Sequence, residues 1–522
     1  MMNSKVVVRR NFYFDSFSLM KISSELKKVA GIREAMVCMG TDLNKAFLRS
    51  VGLLGIEAEL ATINDLIIAV NGENEEAATE GMKKAEGLLL QKVRLRGGTK
   101  VFRPRTLENA LKRFPEANLI LMSIPGNYVR REAEIAIKKG LHVLIFSDNV
   151  PIKDEIELKK LGQKEGLLVM GPDCGTAIIH GTALGFANAV RKGPIGIIGA
   201  SGTGIQELSV ILDKLGVGIS QAIGTGGRDL LQEVGGITTQ MAIEAMNRDP
   251  ETKVIVFLAK AFDKQIGEEI LHLLKRTGKP AIVNLMGGPM DLIESVGLEG
   301  GSTLEETAFK AALKVSKEIK KETFITEQDL TKIVESETRH LSSSQKYLRA
   351  LFSGGSLCVE AVSIFSQVVR KRIYTNIHHK DAEPLPDLEK SIEHTMIDLG
   401  DDFFTRGRAH PMIDPRIRIE RLLKEAEDPE IAVVLLDIIL GYGSSSDMAG
   451  SLLPAIIRAR EMSESRGGYL PVVVNLCGTE EDPQNLEEQK GKLSEVGVVV
   501  LPTNALATRV AAQILIHQNQ IR

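Results

Sequence analysis

Hydrophobic and polar positions in residues 1–92 alternate in short blocks. Lys5 to Tyr13 has the two-residue period of a strand, Ser16 to Ala30 has helical spacing, and Glu34 to Met39 is strand-like again. A helix is predicted from Asp42, a strand over Asp65 to Asn71 and an Ala/Glu-rich helix from Asn74, with room for one more strand near Ile56. That order suits a small ferredoxin-like α+β sandwich over residues 1–92, a fold that serves packing or regulation more often than chemistry.

Gly97-Gly98 reads as a linker. Beyond it the pattern becomes a regular alternation. Helix Leu107 to Arg113, strand Leu119 to Ile124, a helix from Val129, strand Leu141 to Phe146, a helix after Asp154 and strand Leu167 to Met170 follow in turn. Strands alternating with helices predict a parallel, doubly wound α/β sheet, and near-continuous apolar strands predict helices on both faces. Residues 97–190 are read as a Rossmann-like domain.

The remaining pattern occurs twice. Ile195 to Glu207 (IGIIGASGTGIQE) matches Arg349 to Glu360 (RALFSGGSLCVE), with Gly202 on Gly355, Thr203 on Ser356 and Glu207 on Glu360. Asp249-Pro250-Glu251 before a strand recurs as Asp428-Pro429-Glu430, and KPAIVNLMGG at Lys279 to Gly288 recurs as LPVVVNLCGT at Leu470 to Thr479. Landmarks repeating in the same order predict two flavodoxin-like domains with parallel sheets, 193–320 and 346–520, joined by a polar helical linker around Thr323 to Gln345.

Composition narrows the function. Among 522 residues, 43% are hydrophobic and 25% charged, and the net charge of -3 leaves no dedicated nucleic-acid or membrane surface. Tryptophan is absent and aromatics are 4%, against a base-stacking platform, and the basic run Lys92 to Arg105 suits a solvated loop. Cys38, Cys174, Cys358 and Cys477 are too scattered for a disulfide framework or a zinc site. Met1 to Tyr13 has no signal-peptide core and no stretch is long enough to span a membrane, so a cytoplasmic protein is expected.

Ligands of open parallel sheets sit at the carboxyl ends of the strands. There Gly199-Ala200-Ser201-Gly202-Thr203-Gly204 opens a helix, offering unpaired amides, the helix dipole and two hydroxyls to an anion. An ordinary capped βα turn would use the same residues. The lysine of a P-loop is missing. Gly224-Thr225-Gly226-Gly227-Arg228 ends a second strand and adds a guanidinium suited to phosphate or carboxylate, or else a solvated surface turn. In the last domain His394, Asp398, Gly400, Asp401, Asp402, Arg406, Arg408, His410 and Asp414 cluster around a strand end. Gly441-Tyr442-Gly443-Ser444 and the run Thr479 to Gln484 end two more strands. Such convergence resembles a site, although any single histidine is more often structural.

GPIGIIGASGTGIQE, GTGGRD, KVIVFL and KPAIVNLMGG resemble the ligase domain of the succinyl-CoA synthetase alpha subunit, and LLVMGPDCGTA at Leu167 to Ala177 resembles the end of its nucleotide-fold domain. The repeat from Leu348, with LLDIILGYG, is similar to the beta-subunit ligase domain. With NFYFDSFSLM and EHTMIDLGDDFFTRGRAHPMIDP, the whole chain resembles the FdrA family.

Departures from the synthetases then matter. Met286 to Gly301 contains no histidine where they carry phosphohistidine, and Lys260 stands where a glutamate would orient it. The glycine-rich coenzyme A loop is missing, leaving the Rossmann-like domain truncated, and there is no ATP-grasp domain. A phosphohistidine relay cannot run without its nucleophile. The FdrA resemblance implies instead a subunit of an oxamate carbamoyltransferase acting with two partner subunits in allantoin breakdown, converting oxalurate and phosphate to oxamate and carbamoyl phosphate without a cofactor. It implies phosphate or substrate binding by Ser201, Gly202, Thr203, Gly226, Gly227, Arg228, Gly354, Gly355, Ser356, Gly441 and Gly443. Arg228 or Arg408 would clamp a carboxylate, and His394 or His410 would donate to the carbonyl or shuttle a proton. An NDP-forming acyl-CoA synthetase completed by another chain and a non-catalytic scaffold are the alternatives.

Overall fold

A computed structural model describes residues 4–12, 14, 16–27, 29–95, 104, 106–319, 324–406 and 408–521. The expected linker at Gly97-Gly98, Tyr13 and Thr323 lie outside these residues. The chain falls into two compact units, Met1–Ala110 and Leu111–Arg522.

In the first unit, strand Leu66–Gly72 runs antiparallel between Ser4–Arg9 and Ile32–Met39. Its alternation decides the packing: Leu66, Ile68 and Val70 meet a core built with Leu19, Ile22, Leu26, Met82 and Ala85 of helices Ser16–Lys27 and Glu75–Leu95. Ile67 and Ala69 face the other way, onto Leu48, Leu53 and Ala58. Two helices on one face of an antiparallel sheet match the expected sandwich. The strand expected near Ile56 is instead a short helix, Ile56–Glu59, and the sheet has three strands among the described residues.

The second unit contains three sheets among the described residues. The first pairs Leu119–Met122, His142–Ile145 and Val169–Met170 in parallel. The second has five parallel strands, in spatial order Glu299–Gly300, Ala281–Leu285, Val254–Ala259, Lys192–Gly199 and Ile219–Gly224, with a hairpin, Thr176–Ile179 and Thr182–Gly185, on its edge. The sequence reading assigned that hairpin segment to the preceding domain. Its loop is the pair His180-Gly181, both with positive φ (49° and 77°), the conformation a two-residue hairpin turn needs. The third sheet is all parallel, in order Glu383–Pro384, Ile373–Thr375, His394–Asp398, Tyr347–Phe352, Ile431–Ile439, Val472–Cys477 and Val499–Leu501.

The sequence repeat is a structural repeat. Lys192–Gly199 and Tyr347–Phe352 each sit at the centre of a parallel sheet and feed a helix, Gly202–Lys214 and Gly355–Val369. Both helices lie in one apolar core that draws on both sheets, with Ile205, Leu208 and Ile211 on one side and Leu357, Ala361 and Phe365 on the other. The expected linker helix forms over Glu327–Thr338, capped by Thr326 Oγ1, and buries Leu330 and Val334 in this core.

Glu207 and Glu360, matched by the repeat, exchange caps between the lobes. Glu207 accepts the Asn504 amide at 2.7 Å, closing the start of the last helix, Asn504–Ile521. Glu360 accepts the Leu304 amide at 2.6 Å, closing helix Leu304–Leu313, and also the Asn504 side-chain amide at 2.7 Å. No helix among the described residues is long and apolar enough to cross a membrane.

Candidate functional site

The helices Gly202–Lys214 and Gly355–Val369 begin at the same place, tip against tip. Ser201 caps the first by accepting the Gly204 amide at 3.0 Å, and its hydroxyl is hydrogen-bonded to that of Ser356 on the second. A Cβ on Gly354 would lie 2.9 Å from the Thr203 side chain, so glycine there permits the approach. The first amides of a helix have no intrahelical acceptor. Ile205 and Cys358 are the first amides to bond back, to the Ser201 and Gly354 carbonyls. Gly202, Thr203 and Gly355 are partly open to solvent, while Ser201 and Ser356 are buried behind them.

Asp437 braces the second tip. It accepts the Ser353 amide at 2.8 Å and the Gly354 amide at 2.9 Å, and pairs at 2.9 Å with Arg418, buried with it. The Gly354 amide is thereby spent, which leaves Gly355 and Ser356 as the donors of this tip.

These tips line a cavity of about 590 Å³ at the carboxyl ends of both central strands. Lys260, just past strand Val254–Ala259, enters it from the first lobe. A Cβ on Gly355 would stand 2.9 Å from Lys260 Nζ and in collision with Asp398 Oδ2. Asp398 ends strand His394–Asp398, holds the Gly400 amide at 2.8 Å and has its carboxyl raised to about 6 by burial, against the pull of Lys260.

His410 lines the cavity beside the Phe186 ring. Its Nδ1 accepts the Met412 amide at 3.3 Å, and burial lowers its pKa to about 4. It is therefore a neutral ring with its proton on Nε2, a hydrogen-bond donor rather than an acid at neutral pH. Arg408 reaches the mouth and pairs with Glu420 at 3.0 Å.

Of the residues singled out from sequence, Ser201, Gly202, Thr203, Gly227, Gly354, Gly355, Ser356, Arg408 and His410 come together in this cavity. Others do not. His394 begins the strand that Asp398 ends, about 13 Å away along the chain. It is buried against Tyr347 and Phe365, its Nδ1 accepts the Leu348 amide at 3.2 Å, and its role is packing. Arg228 is turned to Glu155, at 2.9 Å, and to the Val150 carbonyl, at 2.8 Å. Glu155 also pairs with the buried Lys159, which meets Asp229 at 2.7 Å, so the guanidinium belongs to a structural network. Gly226, with φ of 88°, lets the loop pass close over the Pro172 carbonyl. Gly441 and Gly443 press on the segment 185–188: a Cβ on Gly441 would lie 2.5 Å from the Ala187 carbonyl, and the Gly441 amide is taken by Gln484. Tyr442 and Thr479 line a different cleft.

Sequence reasoning missed Asp437 and Arg418. The lone acid inside the apolar run LLDIIL was the available signal, because a charge in a strand covered on both faces needs partners.

Two parallel sheets whose first helices meet tip to tip define a CoA-ligase-type α/β protein. The CoA-ligase family model matches residues 351–514, a CoA binding domain model residues 190–285, and a model described as AllF, heavy metal-associated domain residues 2–102. The middle match covers a segment read from sequence as ligase-type. The chain is 40% identical over 501 residues to "Uncharacterized protein YahF" of Escherichia coli K12, covering 96% of each, and it belongs to that family of succinyl-CoA synthetase alpha-like, FdrA/AllF-like proteins. The succinate–CoA ligase [ADP-forming] alpha subunit of Aquifex aeolicus is 29% identical over 188 residues, which span 35% of this chain and 60% of that one. Among solved structures, the dinucleotide forming acetyl-coenzyme A synthetase 1 of Ca. Korarchaeum cryptofilum, in complex with phosphate and ADP, is similar at 17% identity and a TM-score of 0.28 over 77% of this chain and 83% of that one.

Proposed function

We propose that the chain is a subunit of an oxamate carbamoyltransferase in the cytoplasm, joining oxalurate and phosphate and releasing oxamate and carbamoyl phosphate with two partner subunits and no phosphohistidine. One observation carries the reading: paired helix tips converge on a lysine, Lys260, while the stretch Met286 to Gly301 offers no histidine to hold phosphate covalently. Amides of Gly202, Thr203, Gly355 and Ser356, the Thr203 hydroxyl and the Lys260 ammonium hold the phosphate, and two helix dipoles add to its stabilisation. Arg408, which lines the mouth of the cavity and also pairs with Glu420, meets the substrate carboxylate, whereas Arg228 lies outside the cavity lining in the Glu155 network. The neutral His410 Nε2–H donates to the carbonyl oxygen as the tetrahedral state forms. Fixing both reactants between the lobes supplies the rest of the acceleration. The match of residues 2–102 to an AllF domain supports a place in allantoin breakdown.

The test is direct. Titration of the full chain with phosphate and carbamoyl phosphate should raise its melting temperature, and Lys260→Met should weaken phosphate binding about tenfold or more. Thr203→Ala and Arg408→Ala should each abolish carbamoyl phosphate formation by the full assembly. Retained activity in both removes the assignment.

The match of residues 190–285 to a CoA binding domain favours a second reading, an acyl-CoA ligase completed by another chain. That reading requires stabilisation by coenzyme A and a labelled phosphoenzyme, and absence of both removes it.

A further inference from the structure

The phosphate site touches a buried acid that the reading above leaves without a role. Asp398 is 7% exposed, and its Oδ1 is fixed by the Gly400 amide at 2.8 Å. Its Oδ2 lies against Gly355 at the tip of the second helix, where a phosphate oxygen would be held. Lys260 Nζ reaches the same point from the other lobe, yet among the described residues no ion pair closes on either group. The other groups facing this carboxyl are Asp401 and Asp437, Cys358 on the helix, and His410 across Gly400.

Carbamoyl transfer needs a proton moved at this spot. Hydrogen phosphate brings one in, and the departing oxamate nitrogen must gain one. As a phosphate oxygen bonds to the carbamoyl carbon, the C–N bond breaks and its electron pair stays on nitrogen. An amide anion is a very poor leaving group unless it is protonated as it departs. We infer that Asp398 is the proton carrier of the transfer, giving its proton to the oxamate nitrogen and regaining one from the attacking phosphate. The proton count balances without solvent, and the inference rests on the carbamoyl-transfer reading.

A carboxyl raised by burial to about 6 is suited to both directions. Phosphorolysis of oxalurate needs it protonated and slows as pH rises through that value. Carbamoylation of oxamate needs the carboxylate and speeds up over the same range. The experiment measures initial rates of the native assembly in both directions between about pH 5 and 8. Asp398→Asn should lower kcat about 100-fold or more in both and flatten both limbs, while phosphate still stabilises the full chain. Asp398→Glu should restore part of the rate together with a pH limb. Asp398→Asn keeping more than about a tenth of kcat with its limbs intact would overturn the inference and leave the transferase reading standing. Should Asp398→Asn fail to fold, Asp398→Glu decides alone, and a flat profile there overturns it. A wild-type assembly inert toward oxalurate and phosphate removes the reading and this inference with it.

Discussion

Single atoms at Gly355 decide how the site is shaped. A methyl group there would collide with Asp398 Oδ2 and stand 2.9 Å from Lys260 Nζ, at a position whose backbone is helical and accepts alanine without strain. Gly355→Ala is therefore expected to fold normally yet lose phosphate-induced thermal stabilisation, because the two charged groups must move to admit the methyl. A melting temperature matching wild type, with an unchanged phosphate titration, would show that the groups are not at the ligand. Gly441 makes the opposite case. Its φ of 105° and the Ala187 carbonyl leave no room for a side chain, so its value is to packing rather than to binding.

At the level of elements, the exchanged caps tie the lobes together. Each glutamate is buried on the helix that opens its own lobe and holds the first amide of the other lobe's last helix. Burial raises Glu360 to about 7, and raises Glu207 as well, with Asn504 bonded to both. The sign follows from where protons sit. Between about pH 4.5 and 7 the unfolded chain releases the Glu360 proton while the folded chain keeps it, so rising pH favours unfolding across that window. Stability should fall by about 3 kcal/mol there and level off above it. Glu360→Gln keeps the acceptor for Leu304 and should remove this fall, as read from denaturant midpoints against pH.

Over the whole molecule, much was legible because the physics is local and periodic. Alternating apolar runs predicted parallel sheets, and the recurrence of IGIIGASGTGIQE in RALFSGGSLCVE placed Ser201, Thr203, Gly355 and Ser356 at helix starts, where they stand. Pairings between distant segments were not legible. Nothing local distinguishes His394, sealed behind Phe365, from His410, open to the cavity: both follow polar stretches, and only the direction of strand His394–Asp398 separates them. Arg228 looked like a free guanidinium because its partner Glu155 is remote in sequence.

Because both helix tips belong to one polypeptide, the proposed phosphate cradle would form without any encounter between molecules. Dilution from micromolar to nanomolar protein should leave the phosphate-binding midpoint where it was, whereas a cradle completed by a second subunit would weaken as the chains part. Partner subunits would then tune turnover on a pocket whose stoichiometry is set at translation.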